Sequence, residues 1–364
     1  MPRIKQTPED FVVREVFGKQ PRKEGWKGEE NETYVWFDLT KRNYDLFRCL
    51  KILSRRLGVS PKRFGYAGVK DKRAVTTQKI SVWNVPMERL KEVRLKDIEL
   101  SSFEDRSERI NLGDLIANEF TITIRDIEAG EKDRIERNLE RIKEEGLVNL
   151  FGEQRFGMRG DTHLVGREIL RNNLKEAVWL YLTHEGGESE EISSFRKKLK
   201  ETGDIKEGLK ECPRVLRNEI ILMNHLAHDP NDYAGALRRL PKKFRMMLVH
   251  AYQSYLWNET AKIVEEEIIP LVGFNTNLSN YKAGQQIEKI LERENVNIAD
   301  FKIKSMPELS CEGSERERVS RAEGLGWKFE DDEMNGGKIK CVLRFGIPKG
   351  SYATALLNEA LEVK

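Results

Sequence analysis

The stretch that most constrains this chain is residues 64–83, FGYAGVKDKRAVTTQKISVW. It sets one acid, Asp71, beside Lys70, Lys72 and Arg73, between two arms with the composition of strands. In the second arm Ile80 and Val82 alternate with Lys79 and Ser81, the period of a half-buried strand. Gly65 and Gly68 in the first arm mark where the backbone bends or where something approaches it closely. The pattern predicts a carboxylate on a tight basic loop at the rim of a sheet. Three adjacent cations favour the ionised form of that carboxylate, which suits a nucleophile or a base and not a proton donor. On these residues alone a solvated turn, in which Asp71 offsets its neighbours, stays open, because the chain has 61 acids to choose from.

The charge distribution adds direction. The net charge of +3 is too small to announce a polyanionic partner, but between Lys41 and Arg73 eleven lysines and arginines face only Asp45 and Asp71. Such a patch, running directly into the Asp71 loop, attracts phosphates and releases counterions. Arg48, Lys51, Arg55, Lys62, Lys70, Lys72 and Arg73 are the candidate contacts to an RNA backbone, and a solvated helix face is the alternative. Charged residues make up 34% of the chain, above the usual quarter, a density common in heat-adapted proteins. Cys49, Cys212, Cys311 and Cys341 are scattered, with no metal knuckle or redox pair, which predicts a reduced, cytoplasmic protein. His225 and His228 lie close together but lack cysteine partners, so they read as surface polar residues and no metal is expected. No apolar run is long enough for a bilayer, and the opening MPRIKQTPEDFVV turns polar at once, so neither a membrane span nor a signal peptide is expected.

With 364 residues, 38% of them hydrophobic, two domains of ordinary size can form. Strands are expected at 10–17 and 33–39, joined by the polar loop QPRKEGWKGEEN. Asn43 is a candidate N-cap for a helix with Leu46, Phe47, Leu50, Leu53 and Leu57 on one face, stopped by Gly58. Pro86 suits the first position of a short helix that turns Met87, Leu90 and Val93 inward. Asn118 and Phe120, two residues apart in a strand-like run, share a face. An amide beside a ring can bond a base and stack on it, or be an ordinary core Phe beside a turn Asn. A helix over 131–145 buries Ile135, Leu139 and Ile142 and ends at Gly146. Residues 162–265 read mostly as helix, over 164–181, up to Lys200, and over 244–265, where Tyr252, Tyr255 and Trp257 read as core. Arg316, Arg318 and Arg321 either line a cleft or form an ion-pair face with Glu312, Glu315, Glu317 and Glu323. A strand over 338–347 and a helix over 353–362 close the chain.

The string Gly68-Val69-Lys70-Asp71-Lys72-Arg73-Ala74-Val75-Thr76, with Gln78 following, resembles the catalytic motif of the TruD family of tRNA pseudouridine synthases, archaeal type. The likeness returns at PEDFVV (8–13), at Asn118-Glu119-Phe120, at NLFGEQRFG (149–157) and at GSYAT (350–354), and so runs nearly end to end. It implies an α+β fold: a catalytic domain on a mixed, mainly antiparallel sheet with flanking helices, and an inserted α+β TRUD domain. The implied borders are 1–157 and 320–364 for the catalytic domain and 158–319 for the insertion. The implied activity is isomerisation of uridine to pseudouridine in tRNA, at uridine 13, without a cofactor, by a monomer that needs no protein partner. Asp71 is then the catalytic residue and Lys5 its basic partner. Asn118, Phe120, Phe151, Gln154, Arg155 and Tyr352 contact substrate, Tyr352 standing where the family often has Phe. Two other readings of the residues remain: an RNA-binding or tRNA-chaperone module without catalysis, and a metal-dependent nuclease, for which one acid in the hairpin is too few.

Overall fold

Alternating apolar residues build the strands that position Asp71. The structure, a computed structural model, describes residues 2–18, 33–351 and 353–362. The polar loop expected at 20–31 and the residue Tyr352 lie outside the described residues. Two units emerge, one from Met1–Leu147 with Ser320–Lys364, the other from Val148–Val319. The string NLFGEQRFG, expected to end the first catalytic segment at residue 157, falls in the second unit, because the chain passes between units at 147 and 148.

The first unit holds strands β1 (Arg3–Ile4), β2 (Phe11–Val16), β3 (Tyr34–Arg42), β4 (Phe64–Tyr66), β5 (Val75–Trp83), β6 (Ile98–Arg106) and β7 (Ala117–Ile127). A C-terminal hairpin, Glu323–Asp331 and Ile339–Pro348, completes the sheet. From one edge the order is Glu323–Asp331, Ile339–Pro348, β7, β2, β5, β3, β6, with β1 beside β7 and β4 beside β5. The pairing of β2 with β5 is parallel and the others are antiparallel, so the sheet is mixed and mainly antiparallel.

Three helices follow in order: α1 (Leu46–Leu57), α2 (Met87–Lys91) and α3 (Lys132–Glu145). Register and alternation put Phe37, Leu39, Ile80, Val13 and Ile122 on one face of the sheet. Helices α1 and α2 cover one half of that face with Leu46, Leu50, Leu53 and Leu90. Helix α3 and the C-terminal helix Ala353–Leu361 cover the other half with Ile135, Leu139, Leu356 and Leu357.

Local chemistry departs from expectation at α1. Its N-cap is Asp45, whose carboxylate accepts the Arg48 N–H, and not Asn43, which adopts a left-handed φ of 55° and bonds its N–H to Ala74 O. Gly58 ends α1 in the left-handed conformation that its missing Cβ permits. Phe47, expected inside, is 53% exposed; the buried stripe is Leu46, Cys49, Leu50, Leu53 and Leu57. Pro86 is the N-cap of α2, one residue before the position expected.

The second unit is mainly helical. The helix expected over 164–181 is two, Thr162–Leu170 and Leu174–Thr183, broken where Asn172 turns left-handed with φ 59°. Its longest helix, Lys242–Ala261, is buried on most sides, with Leu248, Tyr252, Leu256 and Trp257 all inside, which is why no clean apolar stripe marks it in the sequence. A two-stranded ladder joins Ile268–Leu271 to Ser314–Glu317. Arg316 donates to the carbonyl and side-chain oxygens of Asn149, and Arg318 donates to Ala261 O. Arg321, in the first unit, donates to Glu144 O. These three arginines therefore hold chain carbonyls. No described helix is long and apolar enough to cross a membrane.

A buried charge network ties the N-terminal segment to the sheet. Arg125 on β7 bonds Asp10 at 2.8 Å and Asp332 at 2.9 Å, and all three residues are buried. Asp332 also accepts from the backbone N–H groups of Asp126 and Met334 and from the Asn335 amide. Burial alone would raise this carboxyl, but these donors outweigh it and hold Asp332 at about 2, below its ordinary 3.8. A depressed carboxylate stabilises the fold above its unfolded value and loses that contribution as pH falls through the folded value. Urea unfolding should show about 2 kcal/mol disappearing from this group between about pH 4 and pH 2. Asp332→Asn should lower stability at pH 7 and flatten that slope, and an unchanged slope would place the titration elsewhere.

Candidate active site

The loop that carries Asp71 spans residues 67–74, between β4 and β5, and is fixed at successive points. β4 and β5 pair as Phe64 with Val82 and Tyr66 with Ile80. Gly65 permits this, since a Cβ there would lie 2.4 Å from Ile110 O and 2.5 Å from Ser81 Oγ. Ala67 O accepts the Gly113 N–H, and Gly68 O accepts the Gln78 amide at 3.0 Å. Lys70 Nζ reaches Glu15 of β2 at 2.6 Å, where the glutamate side chain is fully buried. Lys41 of β3, also fully buried, donates to Asp71 O at 2.8 Å. Ala74 O accepts the Asn43 N–H just before α1. The loop is held from beneath by two buried lysines while the Asp71 side chain stays 52% exposed.

Sequence expectation had all three flanking cations serving Asp71 or RNA. The structure corrects this for Lys70, which is turned inward to neutralise Glu15 and is withdrawn from the RNA-facing set. The same holds for Lys41, counted in the surface patch by its position in the chain. Burial pushes the Glu15 carboxyl up against the pull of Lys70, and pulls the Lys41 ammonium down against the nearby Cys49, Asp45 and Asp71.

The partner of the Asp71 carboxylate is Lys5, 2.7 Å away. Lys5 has a left-handed φ of 58° and places its ammonium 3.9 Å from the centre of the Phe11 ring. Its direction is set on both sides. Before it, Arg3 and Ile4 pair with β7; after it, the Thr7 N–H bonds the Asp10 carboxylate, which Arg125 holds.

Lateral register puts Lys41, Thr76, Val13, Phe120 and Phe345 in one row across the sheet. The next row on the same face brings Glu15 beside Asn118. Phe120 is half-buried, stacked on Phe345 at 5.3 Å and met edge-on by Phe11 at 6.0 Å. The buried atoms Asn118 Oδ1, Gln78 Oε1 and Thr76 Oγ1 have no hydrogen-bond partner among the described residues. Such atoms are costly unless a ligand or solvent meets them. A strip of polar groups thus lies between the two helix-covered halves of one sheet face, and Lys41 at its edge bonds the Asp71 carbonyl.

Of the remaining candidates, Arg48, Lys51 and Arg55 stand on the exposed side of α1, and Lys62, Lys72 and Arg73 are exposed. Among the described residues none of these six makes an ion pair with an acid. In the second unit, Phe151 exchanges backbone hydrogen bonds with the Asn258 side chain and meets Trp257 edge-on. Arg155 donates to Ser254 Oγ, and Gln154 is exposed. Phe151 and Arg155 are therefore braced by the helix Lys242–Ala261.

Sequence reasoning missed Glu15, Asp10, Arg125 and Asp332, and placed Lys41 on the surface. One signal was present for Glu15: it follows Phe11 and Val13 at alternate positions, and so had to face inward. Removing one member of a buried ion pair leaves an uncompensated charge. Lys70→Met should therefore lower stability by about 3–5 kcal/mol in urea unfolding. Adding Glu15→Gln should restore most of the loss, and a double variant as unstable as the sum of the singles would contradict the pairing.

Comparison with known proteins agrees in extent and kind. The family described as tRNA pseudouridine synthase D (TruD) matches residues 2–268 and 260–360. A Methanococcoides burtonii protein named probable tRNA pseudouridine synthase D is 37% identical, covering 100% of this chain and 93% of that protein. One from Methanocaldococcus jannaschii, named probable tRNA pseudouridine synthase D 1, is 33% identical over 99% of this chain and 95% of its own length. The crystal structure of a Methanosarcina mazei protein bearing the name tRNA pseudouridine synthase D (TruD) superposes with a TM-score of 0.86 at 35% identity, covering 100% of this chain and 94% of that one. The chain belongs to the TruD family of tRNA pseudouridine synthases.

Proposed function

We propose that this protein isomerises uridine to pseudouridine in tRNA, at uridine 13, with Asp71 as the catalytic residue, acting in the cytoplasm as a monomer without a cofactor. The observation that carries the reading is a half-exposed carboxylate 2.7 Å from Lys5, on a loop fixed from beneath by buried charges.

The reaction breaks the N1–C1′ bond of uridine, turns the uracil and joins C5 to C1′, while the C5 proton leaves and N1 gains one. Atoms and electrons balance within the nucleotide, so no redox partner is required. One ionised carboxylate near C1′ and C5 meets the chemical need, by adding to the sugar or by assisting departure of the base and then taking the C5 proton. Lys5 keeps Asp71 aimed.

The uridine has to leave the stack first, at a cost of a few kcal/mol. Phe120 offsets part of this by stacking on the extruded base, a contact worth about 1–3 kcal/mol, and Asn118 offers it an unpartnered amide oxygen. Arg48, Lys51, Arg55, Lys62, Lys72 and Arg73 contact phosphates without reading sequence. Phe151, Gln154, Arg155 and Tyr352 carry over as substrate contacts through the family motif. A binding-only or chaperone role would leave the Lys5–Asp71 pair without a purpose.

Incubating the purified protein with a tRNA transcript and mapping pseudouridine tests the reading. One new pseudouridine at position 13 is expected, and none should form when that uridine is replaced by cytidine; product elsewhere, or none, overturns it. Lys5→Met should reduce kcat about 10²-fold, the scale of losing one aimed electrostatic contact, with tRNA affinity nearly unchanged in filter binding.

A further inference from the structure

We infer that Phe47 and Tyr66 form a stacking platform for an unpaired nucleobase on the RNA strand that carries the target uridine. The inference rests on the proposed function only in taking RNA as the substrate.

Phe47 is 53% exposed although it stands one position from the buried stripe of α1. It meets Tyr66 with ring centres 5.9 Å apart and planes at 83°. A perpendicular pair leaves ring face open to a further ring, where a stacked pair covers one face of each. Tyr66 ends β4, five residues before Asp71, and Asn43, just ahead of α1, is bonded to the far end of the same loop at Ala74. The platform is therefore built on α1 and on β4, the strand that leads into the Asp71 loop.

Its surroundings identify the occupant. Lys51 lies one helical turn beyond Phe47, Arg48 beside it and Arg55 one turn further, all exposed. None of these cations has an acidic partner among the described residues. In a chain whose lysines and arginines are often matched to acids, this surplus complements a polyanion and not an apolar protein face. Aromatic rings set among cations that no acid neutralises are the arrangement by which proteins hold single-stranded nucleic acid, bases on rings and phosphates on cations. A base flipped from a helix leaves its neighbours partly unstacked, so a nucleotide flanking the target is available to such a platform.

Direct tRNA binding over a range of salt concentrations, together with steady-state kinetics, separates the roles. Phe47→Ala should weaken tRNA binding about tenfold and raise KM correspondingly, while kcat, the melting temperature and the slope of log affinity against log salt stay as in wild type. Phe47→Trp should restore affinity. Arg48→Ala with Lys51→Ala should instead make that slope shallower by about 2. Unchanged affinity in Phe47→Ala, a loss that Trp fails to rescue, or a change of oligomeric state on altering Phe47 would each overturn the platform. The binding assay reads the platform whether or not pseudouridine forms, so its failure is distinguishable from failure of the proposed reaction.

Discussion

The buried contact between Lys70 and Glu15 is the constraint on which the site depends. An eight-residue loop with few apolar side chains has little hydrophobic reason to adopt one shape, and its ordering entropy has to be opposed by specific bonds. Here those bonds come from charges buried under the loop. Lys70 reaches down to Glu15, and Lys41 reaches up to the Asp71 carbonyl. Desolvation pushes against both Glu15 and Lys41, so each charge persists only with its partners in place. The result separates two tasks within one motif: the buried lysines order the backbone, and the exposed aspartate keeps its charge accessible, directed by Lys5.

The site is assembled from parts far apart in sequence, and the sheet is what assembles them. Glu15, Lys41 and Asn118 come from three different strands, and register sets them on one face; Asp71 joins them from its loop through the Lys41 bond to its carbonyl, and Lys5 from the start of the chain through its ion pair with Asp71. The Asp10–Arg125–Asp332 network extends this to the C-terminal hairpin, which helps fix the segment that delivers Lys5. Its three buried charges are satisfied mutually and by backbone N–H groups, the condition under which such a network orders a structure instead of weakening it.

How much of this was legible follows from the range of each signal. Local periodicity exposed α3, with Ile135, Leu139 and Ile142 inside, and β5, with its alternation through Ile80 and Val82. The Asp71 loop was legible through its string of residues. Phe47 was misplaced because an apolar residue at the margin of a helical stripe fits either side, and only the packed sheet shows which residues α1 buries. The break between Leu170 and Leu174 was missed because Asn172 takes a left-handed turn that asparagine tolerates without interrupting the apolar pattern. Lys70 read as an RNA contact because its partner, Glu15, lies 55 residues away and no local pattern joins them. The network around Arg125 spans more than 200 residues and was invisible for the same reason.

The account turns on whether the Asp71 carboxylate performs the chemistry. Single-turnover conversion of uridine in tRNA, measured with enzyme in excess for wild type and Asp71→Asn alongside the tRNA affinity of each, addresses this most directly. The account predicts that the amide variant folds and binds tRNA within about twofold of wild type and forms no pseudouridine, because binding lies with other residues and the amide cannot act as nucleophile or base. Pseudouridine formation by that variant at a rate near wild type would contradict it.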